Sequence, residues 1–326
     1  MKVKINRIDK ELRNFGAIMR IFSGLMSEKT MRLASKMMSK PTKIKEKDIH
    51  VEEKWIGRKD GTKMRICIFK PLFPKKNVPG VLWIHGGGYA LGTPEAGISK
   101  AKTMIAISDC IVVAPDYRLS VQAPYPAALE DNYEALLWMR EHSKELGIRE
   151  DQLVVGGDSA GGGLTAAVSL LARDRKEVAI AFQMPLYPMI DDRMKSKSMK
   201  KNNAPVWDFK SSYIGWKMYL ADLFQTDKVP AYAAAARATN FDNLPATITF
   251  VGNIEPFRDE TIQYVENLKK AGVPVAFKLY KGCFHAFEVM RPKATVSKEA
   301  LNFFEKSFRH AVNTYYVKQP TKEQIS

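Results

Sequence analysis

The sequence predicts a protein of the α/β class, in which helices cover both faces of an open, mostly parallel sheet. From residue 80 onward, short continuous apolar runs alternate with longer stretches of helical periodicity. Such runs are typical of strands buried on both faces, and parallel strands need long crossover connections, which are usually helices. Of the 326 residues, 45% are hydrophobic and 26% are charged, as in ordinary globular proteins.

The first two predicted strands form a hairpin, and the others are isolated apolar runs. Residues 51–58 and 64–70 are strand-like and flank Asp60-Gly61, where the glycine allows a tight turn. Six further strands are predicted at residues 80–84, 111–114, 152–156, 179–186, 246–251 and 275–280.

Four helices are predicted from periodicity and from the residues that flank it. Residues 126–146 are predicted as one helix, because Pro126 stands at its start and Gly147 stands just past its end. The other three are predicted at residues 160–173, 259–271 and 296–311. Together with the strands, they give the alternation expected of a mostly parallel sheet.

The amino-terminal residues 1–45 have a different, amphipathic pattern. Apolar residues recur at helical spacing, and Pro41 is expected to end the segment. The predicted apolar stripe consists of Leu12, Phe15, Met19, Phe22 and Met26. Such a stripe needs a partner surface, which is either the body of the same protein or a membrane interface.

Residues 191–230 also interrupt the alternation. They are rich in Lys, Met and aromatic residues and lack strand periodicity. The aromatic residues are Trp207, Phe209, Tyr213, Trp216 and Tyr219. We interpret the segment as a helical excursion from the sheet.

The charge distribution is strongly basic, with a formal net charge of +16. Residues 1–50 carry 13 Lys and Arg against 5 Asp and Glu. This favours a nucleic-acid or anionic-membrane partner, but no RNP-like aromatic run, zinc-finger spacing or basic region with heptads accompanies it. A solvated basic helical face is therefore the preferred interpretation, and no nucleic-acid partner is expected.

The cysteines and the absence of targeting signals bear on the compartment. Cys67, Cys110 and Cys283 form no C-x-x-C pair, which argues against a disulfide scaffold and a thiolate zinc site. The amino terminus is charged throughout and has no apolar signal-peptide core. No apolar run reaches the roughly 18 residues of a membrane span. A cytoplasmic location is expected.

The strongest chemical motif is G-D-S-A-G at residues 157–161, between a predicted strand and a predicted helix. A serine there lies on a strained turn, and the flanking glycines remove side chains that would clash. The turn presents the hydroxyl of Ser159 above the sheet, next to free N–H groups at the helix amino terminus. Ser159 is therefore predicted to be a nucleophile.

A second motif, H-G-G-G at residues 85–88, directly follows the strand run V-L-W-I. Acyl transfer needs N–H donors aimed at a tetrahedral oxyanion, and glycines let the backbone approach it closely. With the serine turn downstream, the motif predicts an oxyanion loop. We interpret His85 as structural, because such a loop works through its backbone amides.

The general base should be a histidine that follows the nucleophile and the acid along the chain. Among the five histidines, only His285 lies in a loop between a predicted strand and the final helix. His50 precedes the first hairpin, and His142 and His310 lie in amphipathic helices. His285 is therefore the predicted base.

The acid is expected in the segment after the strand at 246–251. Glu255 precedes Pro256, which holds it in the loop, whereas Asp259 and Glu260 open the next helix, where carboxylates are common because of the helix dipole. We favour Glu255 over Asp259 and leave Asp259 as the alternative.

Taken in order, these motifs resemble those of the hormone-sensitive-lipase family of α/β-hydrolase carboxylesterases. The resemblance covers about residues 78–310 and rests on H-G-G-G, D-Y-R-L at 116–119 with P-A-A-L-E-D at 126–131, G-D-S-A-G-G, E-P-F-R-D-E and a late His-Ala-Phe. It implies an α/β-hydrolase sheet and a helical cap built from the amino terminus and an insertion after the sixth strand.

The resemblance also implies a division of the chain and a site. Residues 1–45 and 191–230 correspond to the two cap pieces, and residues 46–190 and 231–326 to the two parts of the core. The amides of Gly87, Gly88 and Ala160 correspond to the oxyanion hole. Neither a metal ion nor an organic cofactor belongs to this chemistry.

Two segments differ from the family pattern. The family usually has Asp-Pro-Leu where this chain has Glu255-Pro256-Phe257, so the acid is one methylene longer. Residues 120–123 are Ser-Val-Gln-Ala instead of Ala-Pro-Glu-His, which indicates a local structural change. Asp116, Arg118 and Asp158 are interpreted as scaffold residues.

The predicted function is that of a serine carboxylesterase acting on short to medium acyl esters. An amidase or peptidase with the same triad is the nearest alternative, because these motifs do not separate the two. A ligand-binding protein and a membrane-surface protein on the same fold are alternatives of other classes. The expected partners are a small-molecule ester and, weakly, an anionic membrane at the basic amino terminus, and a homodimer is left open.

Overall fold

Eight strands form one sheet in the computed structural model, which describes residues 1–38 and 46–321. The strands are β1 (Ile49–Gly57), β2 (Lys63–Pro71), β3 (Val78–Ile84), β4 (Ile111–Pro115), β5 (Ile148–Asp158), β6 (Phe182–Leu186), β7 (Ala246–Gly252) and β8 (Val275–Tyr280). Their order in the sheet is β1-β2-β4-β3-β5-β6-β7-β8.

The pairing confirms the predicted mostly parallel sheet. Strand β2 is antiparallel to β1 and β4, and all pairs from β4 to β8 are parallel. Every residue of β3, β4, β6 and β7 is buried, as expected of strands covered on both faces. The run predicted at 179–186 was too long, because the strand begins only at Phe182, where pairing with β5 starts.

Ten α-helices are found in the described residues. They are α1 (Arg13–Gly24), α2 (Glu28–Met38), α3 (Ile98–Ser108), α4 (Ala127–Glu141), α5 (Ser143–Leu146), α6 (Ala160–Arg175), α7 (Phe209–Leu220), α8 (Arg258–Lys270), α9 (Phe287–Met290) and α10 (Thr295–Thr314). None of them is both long and apolar enough to cross a membrane.

The single helix predicted at 126–146 is wrong, because α4 and α5 are separate. His142 interrupts them with φ −103° and ψ 17°. Its Nδ1 lies 2.9 Å from the carbonyl oxygen of Trp138, which also accepts the backbone N–H of His142 at 3.0 Å. Gly147 ends α5 in the left-handed region, with φ 74°, as its position predicts.

The predicted apolar stripe of the amino-terminal helix is only partly buried. Leu12 is buried, but Phe22 is 60% exposed. The face of α1 that packs on the protein contains Gly16 and Ser23, which are small. A Cβ on Gly16 would lie 3.1 Å from Pro205, so α1 approaches too closely for a larger residue. Its more apolar side is turned outward, and the predicted end at Pro41 lies outside the described residues.

The segment between β6 and β7 leaves the sheet and contains α7 as its only α-helix among the described residues. Here the helical excursion predicted at 191–230 is shorter than expected, because turns form the rest. The segment contacts the amino-terminal helices. Lys210 Nζ donates to the carbonyl of Gly24 at 3.1 Å, and Lys217 pairs with Glu28 at 3.2 Å.

Candidate active site

Ser159 lies at the sharp turn between the carboxyl end of β5 and the amino end of α6. Its backbone has φ 60° and ψ −118°, which is unusual and strained for a residue with a side chain. The glycines on both sides make the turn feasible: a Cβ on Gly157 would lie 2.5 Å from the carbonyl oxygen of Ile84. Ser159 itself is only 5% exposed.

The structure brings His285 and Glu255 to this serine. Nε2 of His285 lies 2.8 Å from Oγ of Ser159, and Nδ1 lies 2.5 Å from Oε2 of Glu255. His285 lies in the loop between β8 and α9, and Glu255 follows β7. Since the sheet is parallel here, the carboxyl ends of β5, β7 and β8 share one edge, where all three side chains meet.

Glu255 is held from two sides and is fully buried. Its Oε1 accepts the backbone N–H of Gly252 at 2.9 Å, while Oε2 faces the imidazole. Burial raises the pKa of the Glu255 carboxyl above its usual value, and the neighbouring His285 opposes this shift. The proximity of His285 therefore favours the carboxylate form.

Asp259, the alternative acid of the sequence analysis, faces elsewhere. Its Oδ2 accepts the backbone N–H of Ser198 at 2.7 Å, and its Oδ1 pairs with Arg258 at 2.6 Å. It lies in the first turn of α8, where a carboxylate is favoured by the helix dipole. No contact joins Asp259 to His285 among the described residues.

The H-G-G-G loop follows β3 and lies beside the serine turn. A Cβ on Gly86 would lie 3.2 Å from Cβ of Ser159. Gly87 and Gly88 have φ 118° and 61°, which explains why glycines stand there. Among the described residues, the amides of Gly87 and Gly88 donate to no protein acceptor outside helices and strands. The amide of Ala160 belongs to the first turn of α6, where N–H groups lack helical partners.

His85 is near the site but faces away from the nucleophile. Its ring stacks on Tyr117, with 4.3 Å between ring centroids, and its Nδ1 lies 2.8 Å from the carbonyl oxygen of Gly86. Burial lowers the pKa of His85 to about 4, so the ring is neutral at neutral pH. This environment agrees with the structural role predicted for it.

The other histidines and the predicted scaffold residues lie outside this cluster. His50 and His310 are exposed, and His142 stacks on Trp138. Asp116 pairs with Arg65 at 2.9 Å, and Arg118 pairs with Asp131 at 2.7 Å. These ion pairs join the loop after β4 to strand β2 and to helix α4.

Three aromatic residues around His285 were not singled out as part of the site by the sequence analysis. Tyr187 and Phe257 present ring edges to the imidazole at centroid distances of 5.0 and 5.1 Å, and Trp207 lies at 6.4 Å. Trp207 was noted only as one of several aromatic residues between 191 and 230. No periodic signal marks it, because it precedes α7 and lies in a turn.

A buried charged group behind the site was also missed. Glu288 accepts a hydrogen bond from the Tyr187 hydroxyl at 2.7 Å, and Lys100 lies 3.4 Å from the same oxygen. Nearby, burial, reinforced by the charge of Glu288, raises the pKa of Asp158 to about 6, while Lys100 and His285 oppose the shift. Lys100 and Glu288 are 188 residues apart, so local sequence patterns contain no signal for their pairing.

The described residues contain one cluster with the composition of a metal site. One ligand atom each from Glu53, Cys67 and Glu95 lie within 4.8 Å of one another. The guanidinium of Arg65 lies among them, 2.7 Å from Glu95, 3.5 Å from Glu53 and 3.6 Å from the sulfur of Cys67. A cation already on the chain thus satisfies these carboxylates.

The chain is similar to proteins of known class over most of its length. The profile of a family described as alpha/beta hydrolase fold matches residues 81–289. Esterase LipI of Mycobacterium tuberculosis is 34% identical over 225 residues, which cover 69% of this chain and 70% of that protein. An arylesterase of Saccharolobus solfataricus is 34% identical over 230 residues, covering 68% of this chain and 72% of that protein.

Solved structures extend the similarity to nearly the whole chain. A bacterial heroin esterase superimposes with a TM-score of 0.85 and 30% identity, covering 95% of this chain and 99% of that one. An arylesterase structure has a TM-score of 0.78 and 26% identity, with 94% and 99% covered. The shared fold therefore continues beyond residues 81–289.

Proposed function

Because the chain belongs to the hormone-sensitive-lipase family of α/β-hydrolase carboxylesterases, we propose that Ser159, His285 and Glu255 form its catalytic triad. The protein is a serine esterase, a hydrolase of carboxylic esters. The observation that carries the triad is the continuous line of contacts, 2.8 Å from serine to imidazole and 2.5 Å from imidazole to carboxylate.

The proposed reaction has two halves. In the first, Nε2 of His285 accepts the proton of the Ser159 hydroxyl while Oγ attacks the ester carbonyl carbon, and His285 then gives this proton to the departing alcohol. In the second, His285 removes a proton from water, and the resulting hydroxide attacks the acyl-serine. Return of that proton to Oγ releases the carboxylic acid.

Glu255 is proposed to orient and stabilise the imidazole. Because its carboxylate faces Nδ1, it fixes the tautomer that leaves Nε2 free to accept a proton, and it stabilises the imidazolium that forms. The amides of Gly87, Gly88 and Ala160 are proposed to donate to the negative oxygen of the tetrahedral intermediate. This assignment is supported by the positive φ of both glycines and by the lack of a protein acceptor for either amide among the described residues.

The proposed substrates are esters with short to medium acyl groups. Ser159 is only 5% exposed, and Trp207 lies against Gly88 in the proposed oxyanion loop and 6.4 Å from the ring of His285. A bulky indole beside both of these residues is proposed to leave limited space for an acyl chain.

The substrate proposal is tested with p-nitrophenyl esters from acetyl to palmitoyl, run beside the matching anilides. The highest kcat/KM is expected between acetyl and hexanoyl, with esters cleaved faster than anilides. A maximum at palmitoyl would contradict the acyl-length proposal, and faster anilide cleavage would favour the amidase alternative.

Residues 1–45 and 191–230 are proposed to form a cap over this site, between core parts 46–190 and 231–326. The two cap pieces contact each other through Val3 and Asn203 at 2.7 Å. The amino-terminal piece also contacts the loop that carries His285, because Asp9 donates to the carbonyl of Gly282 at 3.0 Å. These contacts link both pieces to the active-site edge of the sheet.

Three expectations from the sequence remain predictions. They are a cytoplasmic location, a homodimer and a contact of the basic amino terminus with an anionic membrane. The described helices bear on the first only in that none is suited to cross a membrane. Residues 1–38 of the basic amino-terminal segment lie within the part of the chain that the structure describes.

A further inference from the structure

The two amino-terminal helices carry exposed apolar side chains, which we name together the outer cap surface. Its members are Ile18, Ile21, Phe22, Leu25, Leu33, Met37 and Met38, each between 53% and 70% exposed. Single exposed apolar residues are common on proteins, but seven within 21 consecutive residues, four of them on one face of α1, are typical of an interaction surface.

The arrangement of these residues follows from how α1 packs. Ile18, Ile21, Phe22 and Leu25 are spaced three and four residues apart, so they occupy one face of the helix. The opposite face is seated on the protein through Gly16, beside Pro205 and Phe284. Because the small residue is on the inside, the apolar face of α1 has no partner within the described residues.

The segment that carries this apolar face is basic overall. Residues 1–38 contain nine Lys and Arg against three Asp and Glu. On α2, Lys29, Leu33 and Met37 are four residues apart, so a cation and two exposed apolar side chains form one row. Helices with an apolar face and flanking basic residues are typical of proteins that lie on anionic membranes.

Two other occupants of the surface fit less well. Residues 39–45, whose structure is not described, supply three lysines and only Ile44 as a large apolar residue, so they add charge and little apolar cover. A second copy of the chain would bring two like-charged segments together in a symmetric contact, which is unfavourable. An anionic bilayer supplies both an apolar interior and opposite charge.

We propose that the outer cap surface docks this esterase on anionic phospholipid bilayers. The apolar side chains enter the boundary between headgroups and acyl chains, and the lysines and arginines contact the headgroup phosphates. The consequence for catalysis rests on the proposed function. Because α1 packs on the loop of His285, docking places the cap against the membrane, where apolar esters are dissolved.

The test is co-sedimentation with lipid vesicles. Wild type is expected to bind vesicles containing phosphatidylglycerol at low salt, to bind phosphatidylcholine vesicles weakly, and to dissociate at about 0.5 M salt. Phe22→Ser should lower binding to the anionic vesicles about tenfold, because a hydroxyl replaces the phenyl ring that the docked protein would bury in the bilayer. Ile21→Ser is a second variant of the same face, and Lys29→Gln, which removes one positive charge, should lower binding roughly fivefold.

Phe73→Ser is the matched control. Phe73 is 88% exposed and lies between β2 and β3, at the amino edge of the parallel strands and opposite the active site. Its replacement should leave vesicle binding unchanged. Hydrolysis of p-nitrophenyl acetate in vesicle-free buffer should be the same for Phe22→Ser, Phe73→Ser and wild type, which also shows that each variant is folded.

Three results would overturn the proposal. They are the absence of wild-type binding to anionic vesicles, an equal loss of binding in the Phe22 and Phe73 variants, and a wild-type dimer that Phe22→Ser converts to a monomer. Failure of the esterase proposal gives a different result, because ester hydrolysis would be missing while vesicle binding was intact.

Discussion

The indole of Trp207 lies against Gly88 so closely that a Cβ on Gly88 would be 2.6 Å from Cζ2 of the ring. Trp207 therefore forms a wall directly beside the proposed oxyanion loop. Gly88 is needed for this contact as well as for its positive φ of 61°. We therefore propose that one residue of the segment between β6 and β7 limits the space available to an acyl group.

Trp207→Ala is expected to shift acyl preference toward longer chains. Removing the indole enlarges the space beside Gly88. If it accommodates about two more methylenes, at about 0.8 kcal/mol each, the ratio of kcat/KM for octanoyl over acetyl p-nitrophenyl esters should rise about tenfold. Trp55→Ala is the control, because Trp55 is 62% exposed on the edge strand β1. An unchanged ratio in the Trp207 variant would contradict its role as a wall.

Ser159→Ala is expected to lower ester turnover on the order of 10⁴-fold or more while the protein stays folded. A fluorophosphonate probe should label wild type at Ser159 alone, as mass spectrometry of the labelled peptide can determine. Ser169→Ala is the matched control, because Ser169 is equally buried but lies in the interior of α6. Labelling of a different serine would refute the assignment of the nucleophile.

Glu255→Gln should lower kcat by about 10²–10⁴ with little change in KM. The amide preserves shape but cannot stabilise the imidazolium of His285. Asp259→Asn is the comparison: it weakens the bond from the backbone of Ser198, so it should lower the free energy of unfolding by about 1 kcal/mol and leave kcat nearly unchanged. If Asp259→Asn had the larger effect on kcat, Asp259 would be the acid.

Asp158 is expected to make the protein less stable as the pH rises. Its pKa is raised from 3.8 to about 6 in the folded protein, so folding favours the protonated form. Between these two values the folded state binds more protons than the unfolded state, and stability falls with rising pH, by about 3 kcal/mol in all. Above pH 6 the whole loss of unfolding free energy has occurred, and below pH 3.8 Asp158 causes no loss.

Asp158→Asn removes this titration. Urea unfolding of both proteins from about pH 4 to pH 8 should show the difference in unfolding free energy changing in favour of the variant as the pH rises, mostly below the folded pKa of about 6. A difference that is independent of pH would show that Asp158 is already ionised throughout this range in the folded protein.

The parts of the fold that the sequence predicted are those with local signals. Continuous apolar runs located β3 to β7, and the glycines at 157 and 161 located the turn at Ser159. His285 and Glu255 were predicted because each lies in a loop that follows a predicted strand. In a parallel sheet these loops lie at the same edge as the serine turn. These predictions needed only neighbouring residues and the geometry of a parallel sheet.

The features that were missed depend on distant or small residues. Periodicity left open whether the stripe that contains Phe22 faces the protein or a membrane. In the structure α1 packs on the protein through Gly16, which lies so close to Pro205 that there is little room for a side chain. Similarly, the pair of Lys100 and Glu288 joins α3 to α9 through tertiary structure alone. Hydrophobic periodicity predicts neither the close packing at Gly16 nor the ion pair of Lys100 and Glu288.

The glycines that make the serine motif recognisable serve packing and have no chemical role of their own. A Cβ on Gly161 would lie 2.6 Å from the carbonyl oxygen of His85, and one on Gly162 would lie 2.8 Å from the carbonyl oxygen of Leu186. A homologue that had lost Ser159, and with it catalysis, would still need these glycines to seat α6 on the sheet. Sequence searches weighted toward the glycines will therefore collect inactive members of the fold with active ones, and the residues at positions 159, 255 and 285 are needed to distinguish them.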